Sequence, residues 1–324
     1  MVFPCNALWI DPIDSSVFSL AASTTGKRMT QLRWMDLIVL IVCAGFILGT
    51  TIVARQNVQS AQDIAGCASR LKQIYDALTQ YQIETGSFPR TTYDPRLSLT
   101  AYSGAFDEQA IEPNDVTASV FLLVRRYQLS AGTFTCPAAL RNGLAEKDDF
   151  DPIHPGKRGN FKARMTYNYS LINMYPSEEA VARGYDPGKL SLDTVIASDT
   201  NPGHQQAWSI ETPMNLRQIR EANSPNHQRE GQNLLWVDGS VEFSTTPLIR
   251  KGTENVFASL GAFPDPGSAE DIVLVPIWSM GPDLTPRAVT FRRYVFVLAM
   301  IFSMGMIGGV VVRSLRKTRQ NRQG

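Results

Sequence analysis

Between Leu37 and Ala54 the chain carries no charged residue (LIVLIVCAGFILGTTIVA), and nothing afterwards breaks the helix that such a run implies. At about 1.5 Å of rise per residue, a helix of roughly 17–25 apolar residues crosses a hydrocarbon core, so this stretch suffices for a short span. Neither Pro nor a turn cluster follows it. The pattern becomes amphipathic instead, with Val58, Ile64, Ala68, Leu71, Ile74, Tyr75, Leu78 and Tyr81 recurring largely at steps of three and four, one apolar stripe along a helix. The helix is predicted to stop at Gly86-Ser87-Phe88-Pro89, because Gly suits a left-handed C-cap and Pro cannot continue the hydrogen-bond ladder. A membrane stem that runs on into a domain's core helix is therefore the first constraint on the fold.

A second uncharged run, from Tyr294 to Val312, is also long enough to span and is followed by Arg313, Arg316, Lys317, Arg319 and Arg322. Lys27, Arg28 and Arg33 precede the first run. The positive-inside rule then places both termini in the cytoplasm, with the tail outweighing Arg292 and Arg293 on the far side of the second run. The expected organisation is a cytoplasmic leader (1–33), a first transmembrane helix (34–54), an extracytoplasmic domain (55–290), a second transmembrane helix (291–312) and a basic cytoplasmic tail (313–324). That describes a two-pass protein of the inner (cytoplasmic) membrane, in contact with lipid through both spans. A cleaved signal peptide is the competing reading of the first run, but a small-x-small cleavage site is missing and the helix continues beyond it. Residues 1–28 hold Pro4, Pro12 and a Ser/Thr cluster without periodicity; they read as a disordered leader, or translation starts at Met29.

A net charge of +1 supplies no bulk electrostatic case for nucleic acid, while 44% hydrophobic and 9% aromatic residues suit a folded chain. After Pro89 the pattern predicts a short helix over 117–127, a polar loop over 141–163, and strands over 165–172, 193–198, 233–237 and 240–243. Only Asp238-Gly239 separates the last two, the strongest short-range hairpin signal, in which both turn positions favour positive φ. Helices at the two ends and a late run of strands predict an α+β fold: a long N-terminal transmembrane and amphipathic helix packed on an antiparallel sheet, plus a C-terminal transmembrane helix.

Several short motifs carry a family resemblance. The stem with Cys67, Leu71-Lys72-Gln73-Ile74, Tyr81 and Gly86-Ser87-Phe88-Pro89 resembles the N-terminal regions of type IV pilins and type II secretion pseudopilins. Phe134-Thr135-Cys136-Pro137, Thr166-Tyr167-Asn168-Tyr169, Ser224-Pro225-Asn226-His227 and the hairpin over 232–243 are similar to the bacterial H-x9-DG family of pseudopilin-like proteins, a domain of unknown function. The resemblance covers roughly residues 34–275. Three departures stand out. Pilins carry Gly-Phe-Thr-Leu-x-Glu at the peptidase site; here Gln31 replaces the cleavage-site Gly, and Asp36 stands where the pilin acidic residue would be. His227 and Asp238 enclose ten residues instead of nine, a change of one loop residue. The second span is foreign to pilins. Joining a fibre would require extracting it and dragging five cationic side chains through hydrocarbon, each at a cost of roughly 2.5–3.5 kcal/mol at mid-membrane. A permanent anchor is the expectation, not a fibre subunit.

Candidate chemistry is sparse. The chain has three histidines, His154, His204 and His227. His204 and His227 could converge with Asp199 and Asp238 on a metal, since imidazole and carboxylate suit zinc, and acidic oxygens suit calcium. The plainer reading gives His227 a hydrogen bond that holds the hairpin, and makes Asp238 and Gly239 turn residues. Cys67 and Cys136 fall in an expected oxidising compartment, where a bridge across about 69 residues would add several kcal/mol in the chain-entropy model. Two buried thiols are the alternative. Cys43 lies in the span, Cys5 in the leader, and neither is expected to pair. No nucleophile elbow, Walker loop or Cys-x-x-Cys occurs, and Ser170, Ser198 and Ser240 have no catalytic partner by sequence. Gly305 and Gly309 form a Gly-x-x-x-Gly in the second run, a motif that packs helices together. The expected function is a structural or interaction protein of the envelope whose partners are other envelope or secretion-system proteins. An extracytoplasmic module for carbohydrate, peptide or another solute, with Trp208 and Trp236 as contacts, is the alternative; a metal-dependent enzyme ranks third.

Overall fold

The computed structural model describes residues 34–275, apart from 98, 100–106, 152, 155, 164–165, 204–215, 253 and 260–264. The leader, the second apolar run with its basic tail, His204 and Trp208 lie outside the described residues. Helix α1 spans Trp34–Thr85 and includes Asp36 in its first turn. Its residues up to Ile52 belong to one compact unit, and a second unit, Val53–Leu298, holds the rest of α1 and all the strands.

In the first unit α1 bares its apolar side chains. Val39, Leu40, Ile41, Phe46, Ile47 and Leu48 are 57–63% exposed. Thr50 donates its hydroxyl to Phe46 O (3.1 Å) and Thr51 to Leu48 O (2.8 Å). Such back-bonding hides polar groups in the way a hydrocarbon setting demands. Among the described residues this is one helix long and apolar enough to cross a membrane.

In the second unit α1 becomes a core helix. Cys67, Leu71, Ile74, Ala77 and Leu78 are buried at steps of three and four, so they form one face. This face begins later than the sequence stripe implies. Val58 is 57% exposed, Ile64 and Ala68 sit at the margin, and Cys67 occupies the centre. At the start of this face the turn before Cys67 carries Asp63, which forms an ion pair with Arg141. Gly86 ends the helix at φ +74°, donating to Gln82 O (2.8 Å), the left-handed cap expected of Gly at that position.

Helix α2 (Val116–Tyr127) is N-capped by Asp115, which accepts from Ala118 N at 2.9 Å. Helix α3 (Pro137–Arg141) starts directly after Cys136, with Pro in its first turn; α4 (Glu178–Ala182) and α5 (Leu216–Ala222) are short. Strands β1 (Tyr169–Ile172), β2 (Val195–Asp199), β3 (Gln232–Trp236), β4 (Val241–Ser244) and β7 (Leu274–Val275) form an antiparallel sheet in the order β4-β3-β2-β1-β7. The pair β5 (Leu248–Ile249) and β6 (Glu254–Asn255) stands beside it as a small second sheet.

Successive strand residues point to opposite faces, and both faces of the main sheet are covered. Leu171, Ala197, Leu235 and Val275 join Cys67, Leu71 and Phe121 in one core. Ile172, Val195, Leu234 and Leu274 join Tyr185, Val256 and Phe257 in a second. The expected helix-on-sheet layer is present, and the second core is an addition supplied by 180–185 and 249–257. The polar loop is pinned as well. Buried Asp148 pairs with Arg158, whose guanidinium lies 5.3 Å from the Phe121 ring centroid and 5.1 Å from that of Phe150.

The β3–β4 turn corrects the expected two-residue hairpin. The strands stop at Trp236 and resume at Val241. Gly239 lies at φ +80°, while Asp238 has no positive φ. Gly239 N donates to Trp236 O (2.9 Å) and Trp236 N to Ser240 O (3.0 Å), the pattern of a turn closed by a left-handed glycine bulge. The tip also docks on α1: Lys72 Nζ donates to Gly239 O (3.1 Å) and Tyr75 OH to Val237 O (3.2 Å).

Candidate functional site

The motifs scattered along the sequence meet at one buried point. Asp199 ends β2, its side chain directed into the interior and fully buried. His227 closes a 3-10 turn (Pro225–His227) capped by Ser224, whose hydroxyl accepts from Asn226 N. Pro225 pre-sets the first residue of that turn, and Gln228 leaves it in a left-handed conformation at φ 57°. His227 Nε2 then stands 3.1 Å from Asp199 Oδ2. Its ring meets Phe243 edge-on, with centroids 5.9 Å apart.

Asparagines lock this pair. Asn233, at the start of β3, donates to Asp199 Oδ2 from its backbone N–H (2.7 Å) and from its side-chain amide (3.0 Å). Asn226 donates to Asp199 Oδ1 (3.2 Å) and to Asn168 O (2.8 Å). Asn168 Oδ1 accepts from Cys136 N (3.1 Å). The Phe-Thr-Cys-Pro, Thr-Tyr-Asn-Tyr and Ser-Pro-Asn-His motifs are thereby joined in one hydrogen-bonded chain. Sequence reasoning missed the three asparagines; their place inside or next to the quoted motifs was the signal that pointed to them.

The two buried thiols complete the cluster, with Cys67 Sγ 2.8 Å from Cys136 Sγ. Burial works to raise the Asp199 pKa, but the His227 charge and the amide donors outweigh it and hold the carboxyl below its ordinary range. Burial likewise opposes protonation of His227, and the Asp199 carboxylate overcomes it, lifting the imidazole to about 9. Histidine is therefore a cation at neutral pH. Burial pushes the Cys67 thiol well up. For Cys136 burial acts in the same direction, yet hydrogen bonding from Cys67 and the His227 charge bring it below the usual thiol value.

Among the described residues, one group of potential metal ligands gathers closely. Cys67, Cys136, Asp199 and His227 offer donor atoms all within 4.8 Å of one another. This differs from the set expected from sequence. Asp238 is exposed at the hairpin, accepting from Ser240 N (2.8 Å) and Ser240 Oγ (2.6 Å). His154 pairs on the surface with Asp151. Zinc favours such donor types, but the geometry suits an ion poorly. Asp199 Oδ2 already takes three donors, and His227 Nε2, the ring nitrogen nearest the carboxylate, is one of them.

Cys136, His227 and Asp199 also have the residue types of a nucleophile, base and orienting acid. Cys136 and Asp199 are fully buried, so the trio offers no open face to a substrate. The serines are structural: Ser170 Oγ accepts from Asn201 N (2.9 Å), and Ser198 donates to Asp199 O (2.6 Å). Trp236 packs partly buried against the second core. A cleft between Tyr75, Leu78, Gln82, Phe88 and Leu190 holds about 160 Å³, below the roughly 300–1,000 Å³ of small-molecule sites. Comparison with protein-family models, curated proteins and solved structures finds no match to this chain.

Proposed function

We propose that this chain is a permanently anchored, pseudopilin-like interaction protein of the cell envelope. Its domain is held outside the cytoplasmic membrane, and its loops and sheet edge engage other envelope or secretion-system proteins. One observation carries this reading. Helix α1 exposes a charge-free apolar surface over 38–54 and, from Cys67 onward, supplies the centre of a folded core. An element with both properties ties a rigid domain to a bilayer, and polar burial elsewhere goes into locking that domain together. The Asp199–His227 network is sealed, in keeping with architecture over turnover. The second apolar run and its five following cations support a two-pass anchor with both termini in the cytoplasm. That anchor keeps the protein out of fibres.

Among the described residues β4 is the outer strand on one side of the main sheet, and Glu242 on it is exposed. A charge there discourages indiscriminate strand pairing and leaves recognition to side chains. Crosslinking of the full chain in native membranes, followed by mass spectrometry, tests the proposal. Recurrent adducts between domain residues and one envelope protein are expected. Recovery of the intact chain in purified pilus-like fibres would refute it.

A further inference from the structure

We infer that Cys67 and Cys136 are joined by a disulfide that staples the stem helix to the Cys-Pro turn. The inference rests on the proposed extracytoplasmic placement of the domain, where disulfides form and persist.

The two sulfurs stand 2.8 Å apart. Two thiolates on one tetrahedral ion, with metal–sulfur bonds of about 2.3 Å, stand about 3.7 Å apart. The pair is thus too close to share an ion and needs only a small side-chain adjustment to reach a covalent bond of about 2.0 Å. The backbones approach closely at the same place. A Cβ on Gly66, next to Cys67, would lie 3.4 Å from Pro137 Cγ, next to Cys136. Neighbouring groups rule against a metal independently: Asp199 is filled by amide and imidazole donors.

The order of events follows from which element carries each group. Cys136, His227 and Asp199 all belong to the sheet side, through the N-cap of α3, the 225–227 turn and β2, whereas Cys67 belongs to α1. Both sulfurs are fully buried once α1 is in place, so exchange with an outside reagent precedes docking. The oxidant is a protein disulfide of the extracytoplasmic compartment. The Cys136 thiolate, favoured by the adjacent His227 cation, attacks one sulfur of that donor, and the donor's second sulfur leaves as a thiolate. As α1 approaches and before the core closes over it, Cys67, still in contact with water, loses its proton to solvent and attacks Cys136 Sγ, expelling the donor's first sulfur. The chain's two thiols lose two protons and two electrons, and the donor disulfide becomes a dithiol. The closed bond is then shielded from reductant.

Thiol mapping of the full chain in native membranes tests this. Membranes are denatured and treated with a maleimide, then reduced and treated with a second maleimide of different mass, and digested with trypsin. Cys67 falls in the tryptic peptide 56–70 and Cys136 in 127–141. The expected result is near-complete loss of first-label signal at both cysteines and, in the unreduced sample, a linked 56–70/127–141 species lighter by two hydrogen atoms than its parts. Cys43 takes the first label in the same sample and serves as the internal control. External protease, applied in parallel, reports which side the domain occupies. First-label modification of Cys67 and Cys136 on a domain that external protease cuts overturns the disulfide alone, whether or not zinc co-purifies. The same modification on a domain sheltered from protease overturns it together with the proposed topology.

Discussion

Replacing Asp199 with Ala removes the acceptor on which the buried network closes. Three losses follow from the structure. His227 forfeits the partner that lifts its pKa to about 9. Asn233 loses acceptors for both its backbone N–H and its side-chain amide. Asn226 keeps only Asn168 O. At about 1.36 kcal/mol per pKa unit, protonation of a His227 lifted to about 9 from an unfolded value near 6.5 stabilises the fold by roughly 2–3 kcal/mol at pH 7. An orphaned buried donor costs a further 1–3 kcal/mol, roughly. The expected destabilisation is about 4 kcal/mol, within the range for breaking a buried ion pair and a large share of a typical domain's stability.

The pH dependence has a definite sign. Because the folded-state pKa of His227 is raised, its contribution is fully present below about 6.5 and is lost as pH rises through about 9. Asp199 is depressed, so its contribution holds above the ordinary carboxylate range and falls away as pH drops through its lowered folded value. Both describe one interaction and are counted once. Cys136 and Glu230 also face the imidazole, and a Cys136 tied up in a disulfide contributes no charge. Denaturant unfolding of the full chain in detergent micelles, followed by tryptophan fluorescence at pH 7 and pH 10, measures the difference. The gap between wild type and Asp199→Ala is expected to shrink at pH 10 to the hydrogen-bond part alone. A loss below about 1 kcal/mol at pH 7, or one that stays constant to pH 10, would show that the pair is not the keystone described.

Three further outcomes follow from the packing. Leu71→Ala should cost about 2–5 kcal/mol, because Leu71 is fully buried in the first core, whereas Val58→Ala should stay within about 0.5 kcal/mol; equal effects in the same unfolding assay would contradict the late start of the buried face. Gly239→Ala should destabilise by about 2–3 kcal/mol, since φ is +80° and the new Cβ would lie 2.6 Å from Tyr75 Cε1; an unchanged thermal midpoint would mean that the hairpin tip does not dock on α1. Cys67→Ser should lower stability by about 4 kcal/mol under oxidising conditions and add little once the wild type is reduced, a comparison made by denaturant midpoint with and without dithiothreitol.

Local features were legible where local physics decides them. A charge-free run, an amphipathic repeat and a Gly followed by Pro set the course of α1, because hydrophobic period and cap chemistry act within a few residues. Asp-Gly marked the hairpin correctly, but its type depended on how Val237 and Gly239 meet Tyr75 and Lys72, contacts about 165 residues apart in sequence. The second core was not visible, since Val195, Leu234 and Leu274 look no different in sequence whichever face they cover. The candidate site was half legible. Cys67, Cys136, Asp199 and His227 were each singled out, yet Asp238 was grouped with the histidine because it is near in sequence. The structure leaves Asp238 in solvent and delivers the cysteines in its place.

Sequence by itself determined that one helix suits lipid in its first part and a protein core in its later part, since both properties are written in side-chain polarity and spacing. Tertiary structure alone decided that Asp199 and His227 neutralise each other in the interior, that Asn226 and Asn233 fill the remaining acceptor sites of Asp199, and that two cysteines 69 positions apart touch. A buried charge survives only when partners from distant segments surround it, and no local pattern records which segments the fold will bring together.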